Sequence, residues 1–286
     1  MKVFITGYSG QLGYDVALEC EKRGYDFKGV SSKDLDITSK ENVFDVIGKY
    51  KPDTVVHCAA YTAVDKAESE EEICRKVNVD GTRNIAEYCK CADIPMVYIS
   101  TDYVFNGEGT EPWKADCKDF APLNVYGKSK LDGEFVVTEN LEKFFIVRIA
   151  WVFGINGKNF IKTMLNVGKT HDCVRVVNDQ IGTPTYTYDL ARLLVDMIET
   201  DKYGFYHATN EGGYISWYDF CREIYAQAGL DTKVIPVTTA EYGLSAAKRP
   251  FNSRLDKSKL SGSDFRPLPD WQDALSRYLN EIGEKI

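Results

Sequence analysis

The 286-residue sequence has little of what marks secreted, membrane-bound or metal-dependent proteins. It contains only three histidines and eight scattered cysteines, and the closely spaced Cys89 and Cys91 miss the usual spacing of zinc ligands. No apolar run approaches the roughly 18 residues that a membrane helix needs. A strand-like run begins at Lys2, so we expect no secretory leader. We therefore expect a cytoplasmic protein with reduced thiols, no membrane partner and no metal.

The sequence also lacks a stripe of basic residues. Its formal net charge is −8, whereas binding to a phosphate backbone needs clustered lysines and arginines. Nucleic acid is therefore disfavoured as a partner. Hydrophobic residues make up 44% and charged residues 27%, which is ordinary for a globular enzyme of a length that can bury a sizeable core.

The first half of the chain alternates short β-branched or apolar runs with longer amphipathic runs. We predict strands at residues 3–6, 27–31, 54–58, 96–100 and 144–149, and helices at 10–24, 40–50, 79–92 and 125–139. This alternation predicts right-handed βαβ crossovers and a parallel sheet, which together make a doubly wound, Rossmann-type α/β fold. We predict a dinucleotide-binding domain at 1–150. Residues 151–286 lose the alternation and should form a smaller mixed α/β substrate region, with segments near 174–208 returning to the main sheet.

A glycine-rich turn follows the first predicted strand. Gly7, Gly10 and Gly13 let the backbone turn tightly and approach a pyrophosphate, while the next helix supplies aligned N–H groups. A tight turn without a ligand is the structural alternative. The position directly after the first strand favours a dinucleotide site.

The end of the second strand bears on which dinucleotide binds. It carries Ser31, Ser32 and Lys33 instead of an acidic residue that would accept hydrogen bonds from a ribose hydroxyl. A lysine beside two hydroxyls suits a 2′-phosphate, so NADPH is favoured and NADH stays open. Lys33 as an ordinary surface residue is an equal alternative.

Tyr126 and Lys130 lie four residues apart on one face of a predicted helix. Among 18 tyrosines, only Tyr126 has a lysine at this spacing. Carbonyl reduction needs a proton at the oxygen, and an ammonium can lower the tyrosine pKa, which is about 10 in free solution. Thr101, at the end of the fourth strand, can polarise a substrate carbonyl. The alternatives are an incidental helical pair and a turn cap.

Longer motifs resemble the dTDP-4-dehydrorhamnose reductase family, in the extended branch of the short-chain dehydrogenase/reductase superfamily. They follow the family order over nearly the whole chain, at residues 59–68, 100–105, 124–130, 148–151, 178–180, 184–185 and 249–254. The resemblance implies NADPH-dependent reduction of the 4-keto group of dTDP-4-dehydro-6-deoxy-L-mannose to dTDP-L-rhamnose. It also implies a dTDP-sugar as the partner and allows a homodimer.

The resemblance implies roles for individual residues. Tyr126 is the proton donor, Lys130 its partner, and Thr101 tunes the proton transfer. The residues expected at the cofactor are Gly7, Gly10, Gln11, Leu12, Gly13, Lys33, Asp36, Ile37, Ala60, Tyr61, Thr62, Tyr126 and Lys130. The residues expected at the substrate are Thr101, Asp102, Trp151, Arg249 and Arg254. A core role for Trp151 and a plain surface role for the two arginines are the alternatives.

Some members of the family hold a magnesium ion at a dimer contact. Asp15 follows the glycine turn, but the stretch Tyr186-Thr187-Tyr188 offers little acidic complement before Asp189. We therefore predict no metal.

Two other functions stay open. One is a nucleotide-sugar epimerase or 4,6-dehydratase of the same superfamily, although Tyr103 stands where a dehydratase is expected to have a glutamate after Asp102. The other is a dinucleotide-binding regulatory subunit without turnover. The intact set of Thr101, Tyr126 and Lys130 speaks against a regulatory subunit.

Overall fold

A six-stranded sheet forms the centre of the computed structural model, which describes residues 1–284. In spatial order, its strands are β10 (Gly204–His207), β5 (Phe144–Ile149), β4 (Met96–Thr101), β3 (Thr54–His57), β1 (Lys2–Thr6) and β2 (Asp26–Val30). All the neighbouring strands in this order run parallel. The chain leaves β1 for β2 and then returns to β3 on the other side of β1, which opens a crevice at their carboxyl ends. The predicted doubly wound fold is confirmed.

Helices cover both faces of this sheet. The helices of the chain are α1 (Gln11–Lys22), α2 (Lys40–Tyr50), α3 (Val64–Ala67), α4 (Glu71–Arg75), α5 (Thr82–Ala92), α6 (Val125–Asn140), α7 (Phe160–Gly168), α8 (Thr187–Ile198), α9 (Trp217–Gln227), α10 (Thr239–Tyr242), α11 (Ser258–Gly262) and α12 (Trp271–Glu281). Val3 and Ile5 pack into the cluster beneath α1 and α8, whereas Phe4 packs into the cluster beneath α2, α5 and α6. Burial on both faces explains why β1 is a continuous apolar run.

A π-helical turn, Lys76–Gly81, joins α4 and α5 into one continuous helix. The helix predicted at 79–92 therefore begins earlier than its periodicity indicated, because the wider turn interrupts the 3.6-residue pattern. Inside it, the Asn78 amide donates to the Ser129 hydroxyl at 2.9 Å and to the backbone carbonyl of Tyr61 at 3.1 Å. These contacts fasten the turn to α6, the helix of the predicted catalytic pair.

The chain after residue 150 builds a smaller region from short sheets and helices. Its strand pairs are β12 (Lys233–Val237) with β7 (Cys173–Val177), β11 (Ile215–Ser216) with β8 (Ile181–Gly182), and β6 (Val152–Phe153) with β9 (Thr185–Tyr186). Of the segments near 174–208 that we expected in the main sheet, Gly204–His207 does pair with β5, whereas Cys173–Val177 lies in a separate two-stranded sheet. The place beside β5 is occupied by β10, and β7, with a single buried residue, is too exposed for the centre of a covered sheet.

The division of the chain near residue 150 stays a prediction, and the last two residues of the predicted 151–286 region lie outside the described part. Within residues 1–284, no helix combines the length and apolarity needed to cross a membrane.

Candidate active site

A cavity of about 720 Å³ lies at the carboxyl edge of the main sheet. Its wall is formed by the turn after β1, the ends of β2 to β5, the start of α6 and the first residues of the C-terminal region. The predicted site residues that it brings together are Gly7, Gly10, Gln11, Leu12, Gly13, Asp36, Ile37, Ala60, Thr62, Thr101, Asp102, Tyr126, Lys130 and Trp151. Residues far apart in sequence thus share one space large enough for a dinucleotide and a substrate.

The glycine turn supplies one wall of the cavity. Gly7 has a φ of +70°, and a Cβ on Gly13 would collide with the Gly7 carbonyl oxygen, so both positions need glycine. Gly10 is the N-cap of α1 and offers no side-chain cap, and no acidic residue lies in the first turn. The free N–H groups of this 12-residue helix therefore fit a diphosphate.

The end of β2 forms the adjacent rim. Ser31 and Ser32 line the cavity, whereas Lys33 is exposed and is not part of the wall described for residues 1–284. Asp34, an acidic residue, follows shortly after β2. Its carboxylate accepts hydrogen bonds from the Ser31 amide at 2.9 Å and the Ser31 hydroxyl at 2.7 Å. The 2′-phosphate role of Lys33 stays a prediction.

Asp36 and Ile37 line the same end of the cavity. The Asp36 carboxylate accepts hydrogen bonds from the hydroxyl and amide of Thr38, at 2.7 and 2.9 Å, and these bonds lower its pKa. The Asn84 amide donates to the Ile37 carbonyl at 2.9 Å. This loop is therefore held in one shape before any ligand arrives.

Tyr126 and Lys130 project from the first turns of α6 into the cavity. The helix begins at Asn124, whose side chain accepts from the Gly127 amide at 2.8 Å and donates to the Lys248 carbonyl at 2.8 Å. Opposite, Thr101 ends β4 and donates from its hydroxyl to Asp102 at 2.9 Å. The start of α6 and the end of β4 thus bring Tyr126, Lys130 and the Thr101 hydroxyl to one place.

Burial dominates the electrostatics of this pair. It raises the pKa of Tyr126 above its ordinary value, to which the negative charge of Asp102 adds. Burial also lowers the pKa of Lys130 to about 7, against the upward effect of Glu134. Burial thus opposes the lowering of the tyrosine pKa that we expected from Lys130, and the role of Lys130 toward Tyr126 stays a prediction.

Glu134 is a site-supporting residue that sequence reasoning missed. It lies one helical turn after Lys130 and forms a buried ion pair with Arg148, at 2.7 Å to Nη2 and 2.8 Å to Nε. The Ser100 hydroxyl donates to the same carboxylate at 2.5 Å. Its spacing of four residues after Lys130 is the signal that could have identified it.

Asp102 lines the cavity and has a buried side-chain oxygen without a hydrogen-bond partner in the described part of the chain. The residue is 2% exposed, and its Oδ2 atom has no hydrogen-bond partner among residues 1–284. Burial raises the pKa of this carboxyl to about 6. A buried acceptor without a partner is costly, and the substrate role of Asp102 stays a prediction.

Trp151 also lines the cavity, in a left-handed backbone conformation with φ of 50°. Its indole stacks on that of Trp217, with 3.8 Å between ring centroids and 17° between ring planes. Trp217 also lines the cavity and was missed, because nothing in the local sequence links the first residue of α9 to Trp151.

Three further predicted residues do not reach the described wall. The Tyr61 hydroxyl donates to Glu70 at 2.5 Å. Arg249 pairs with Asp65 at 2.5 Å, and Arg254 donates to Asn252 at 3.0 Å. Arg249 also donates to the hydroxyl of Tyr103, a residue of the wall, at 3.4 Å. The three ligand roles stay predictions.

The surroundings of Asp15 are more acidic than the sequence indicated. Its carboxyl accepts from Thr187, and burial raises its pKa to about 6 while the charges of Glu281 and Asp189 add to the shift. Asp189, however, is bound by Arg277 at 2.7 Å. Across the described residues, no three His, Cys, Asp or Glu side chains are grouped for a metal ion, and the absence of a metal stays a prediction.

The sequence matches the family model described as the RmlD substrate binding domain over residues 1–284. The dTDP-4-dehydrorhamnose reductase of Aggregatibacter actinomycetemcomitans is 40% identical, covering 96% of this chain and 97% of the relative. The spore coat polysaccharide biosynthesis protein SpsK of Bacillus subtilis is 39% identical, covering 98% and 97%.

Solved structures agree with these relatives. The dTDP-4-dehydrorhamnose reductase of Bacillus anthracis, in complex with NADP, matches with a TM-score of 0.94 and 41% identity over 98% of this chain and 99% of that one. The Clostridium acetobutylicum reductase matches with a TM-score of 0.95 and 41% identity over 99% and 100%. A UDP-glucose 4-epimerase from Thermus thermophilus, at 19% identity and a TM-score of 0.84, shares the fold alone. The resemblance seen in the motifs is confirmed: the chain belongs to the dTDP-4-dehydrorhamnose reductase family.

Proposed function

We propose that the chain uses NADPH to reduce the 4-keto group of dTDP-4-dehydro-6-deoxy-L-mannose and releases dTDP-L-rhamnose. The observation that carries this proposal is the meeting of Thr101, Asp102, Tyr126 and Lys130 in one cavity with the glycine turn. Named relatives that span nearly the whole chain support the substrate class, and the NADP in one of their structures supports the cofactor.

The chain's own residues fit the cofactor from end to end. The uncapped start of α1 would hold the diphosphate, with Ala60 and Thr62 at the nicotinamide end and Asp36 and Ile37 at the adenine end. When bound, NADPH supplies the hydride that reaches the carbonyl carbon.

The proton is supplied by a side chain that already lines the cavity. The Tyr126 hydroxyl donates its proton to the substrate oxygen, and the solvent restores it. Burial keeps the Tyr126 hydroxyl protonated before the reaction, and the proton is donated as the carbonyl oxygen becomes basic on arrival of the hydride. Lys130 holds the ribose and stabilises the phenolate that remains. The Thr101 hydroxyl and the unmet Asp102 oxygen orient the sugar.

The direct test is NADPH oxidation by the purified protein with the keto-sugar nucleotide, followed by comparison of the product with authentic dTDP-L-rhamnose. Tyr126→Phe should remove nearly all turnover and leave NADPH affinity within a few-fold, because proton delivery is lost while the other cofactor contacts remain. A variant that kept more than roughly a tenth of the rate would contradict the acid role.

The same preparation separates the alternatives. An epimerase or dehydratase would retain a stoichiometric cofactor and show no net oxidation of NADPH. A regulatory subunit would bind the dinucleotide without turnover. A product with the talose or fucose configuration would keep the reductase chemistry and change the substrate.

Two further parts of the proposal concern the setting of the enzyme. We expect it to work in the cytoplasm, because all eight cysteines are free thiols, as a reducing compartment keeps them. The resemblance also allows a homodimer, which light scattering on the purified protein tests.

A further inference from the structure

Trp151 is a bulky residue in a backbone conformation that such residues rarely adopt, with φ of 50°. The backbone is held there by the Thr185 amide, which donates to the Trp151 carbonyl at 3.1 Å, and by the pairing of β6 with β9. The strained backbone directs the indole into the cavity wall. A strained residue that the surrounding structure maintains at a cavity indicates a functional demand on its orientation.

Two other residues set the position of this indole. Trp217 stacks on it at 3.8 Å between centroids, and Gly182 gives it room, because a Cβ at Gly182 would lie 2.9 Å from the Trp151 ring. The two are coupled through the short β8–β11 pair, in which Ile215, just before the α9 cap, is opposite Gly182. The stacking on Trp217 and the space left by Gly182 therefore fix the position of the Trp151 indole together.

Trp217 itself has little freedom to move. It is the first residue of α9, directly after a capping box in which the Asp219 amide donates to the Ser216 hydroxyl at 3.0 Å and Asp219 accepts from the Ser216 amide at 3.1 Å. The Phe160 ring packs against it with centroids 4.6 Å apart. The pair thus presents a fixed aromatic wall to the cavity that Tyr126 also lines.

We propose that Trp217 is a specificity-determining positioning residue, which stacks on Trp151 to fix an aromatic wall for the sugar of the substrate. This inference rests on the proposed function. A 6-deoxyhexose carries a methyl group and an apolar face of C–H bonds, and flat aromatic surfaces in pockets take such groups. We assign the wall to the sugar and not to the thymine, whose flat, methyl-bearing ring also stacks on aromatic side chains. Trp217 should therefore act on the sugar far more than on the dTDP part.

The experiment compares binding of dTDP-L-rhamnose and of dTDP to the NADP⁺-loaded protein by calorimetry. Trp217→Ala should weaken binding of dTDP-L-rhamnose about ten-fold, or about 1.4 kcal/mol, and binding of dTDP less than about three-fold. Trp217→Phe should restore most of the difference, since it keeps a flat ring. In turnover, KM for the keto sugar should rise more than kcat falls.

The matched control is Trp271→Phe, which removes an indole from the core packed on Phe220 and should leave the ratio of the two affinities unchanged. If the alanine variant does not fold, Trp217→Leu keeps apolar volume without a flat face and is expected to show the same selective loss. Wild-type affinity for dTDP-L-rhamnose in the alanine or leucine variant would overturn the inference. An equal loss of both ligands would also overturn it, since the wall would then serve the base.

Circular dichroism separates failure of this inference from failure of the proposed function. Two stacked indoles couple their transitions, so Trp151→Phe and Trp217→Phe should each remove the same signal, and Trp271→Phe should not. Preservation of that signal in both variants would contradict the stacked pair itself. A wild-type protein that shows the signal but neither binds nor turns over the sugar nucleotide would instead contradict the proposed function.

Discussion

Burial moves three site residues toward their neutral forms. The pKa of Tyr126 is raised, that of Lys130 is lowered to about 7 and that of Asp102 is raised to about 6, each mainly by loss of solvation. Of the three, Asp102 also has a side-chain oxygen without a hydrogen-bond partner among the described residues, and an ionised carboxylate in such surroundings costs folding stability.

This cost can be measured at Asp102. Its folded pKa of about 6 exceeds the ordinary 3.8, so the folded protein keeps a proton that the unfolded chain loses between these values. Stability therefore falls as pH rises through that window, by up to about 3 kcal/mol for a rise of about two pKa units. Asp102→Asn should raise the melting temperature above pH 6 and leave it nearly unchanged below pH 4.

Thermal unfolding of both proteins across this pH range tests the prediction. Asp119→Asn, at an exposed position, serves as the control and should shift nothing. A difference between Asp102→Asn and wild type that does not grow with pH would show that the carboxylate is not destabilising. The variant should also bind the sugar nucleotide less well.

The choice between NADPH and NADH is a second question at the scale of single residues. Lys33 is exposed beside Ser32, so its contact with a 2′-phosphate would be a partly solvated charge pair. We expect about a ten-fold preference for NADPH, which Lys33→Ala should largely erase without changing the rate at saturating NADPH. The preference should shrink as salt rises.

Asp34→Asn provides the opposing variant, because it removes a carboxylate held beside Ser31 and should increase the preference for the phosphorylated cofactor. Specificity constants for both cofactors at low and high salt are the measurement. Equal constants at low salt in the wild type would rule out this role of Lys33.

At the scale of elements, α1 combines packing and binding in one turn. Gly13→Ala places a Cβ against the backbone of Gly7 and should destabilise the protein by about 1–3 kcal/mol. Gly10→Ala meets only the Gly7 carbonyl, at 3.1 Å, and should change stability by less than about 1 kcal/mol. Both changes should weaken NADPH binding, because Gly10 and Gly13 line the cavity.

Denaturant unfolding and cofactor titration of the two variants separate these effects. Equal loss of stability would mean that Gly10 is needed for folding and that the open turn is not specialised for a ligand. Unchanged NADPH affinity in Gly10→Ala would show that the diphosphate does not bind at Gly10.

At the scale of the whole molecule, one buried ion pair ties the catalytic helix to the sheet. Glu134 on α6 accepts from Arg148 on β5, and Arg148 also donates to the Ala115 carbonyl at 3.0 Å. Both ion-pair side chains are at most 2% exposed. Arg148→Met should cost about 3–5 kcal/mol, because it leaves the Glu134 charge buried and unpaired.

The double change Glu134→Gln with Arg148→Met removes both charges and should recover much of that stability. It should also lower the pKa of Lys130 further, since the Glu134 charge raises it, so activity should decline from a lower pH than in the wild type. Chemical unfolding and a pH–rate profile test the two effects. An unchanged profile would mean that Glu134 has no influence on Lys130.

What the sequence determined by itself is local. It placed the turn of Gly7, Gly10 and Gly13 directly after a strand. It placed Tyr126 and Lys130 on one helix face, because they are four residues apart. The alternation of apolar and amphipathic runs predicted a parallel sheet. Each signal comes from backbone periodicity over a few residues, so it survives without knowledge of the rest of the chain.

The tertiary structure decided the contacts between distant segments. Only packing brought Trp217 onto Trp151, Glu281 near Asp15 and Arg249 onto Asp65. It also placed Cys173–Val177 beside Lys233–Val237 instead of in the main sheet. These outcomes depend on which surfaces other elements leave free. The pKa shifts depend on burial by the whole fold, which the local sequence does not reveal: burial raises the pKa of Tyr126, whereas the spacing to Lys130 predicted a lowering.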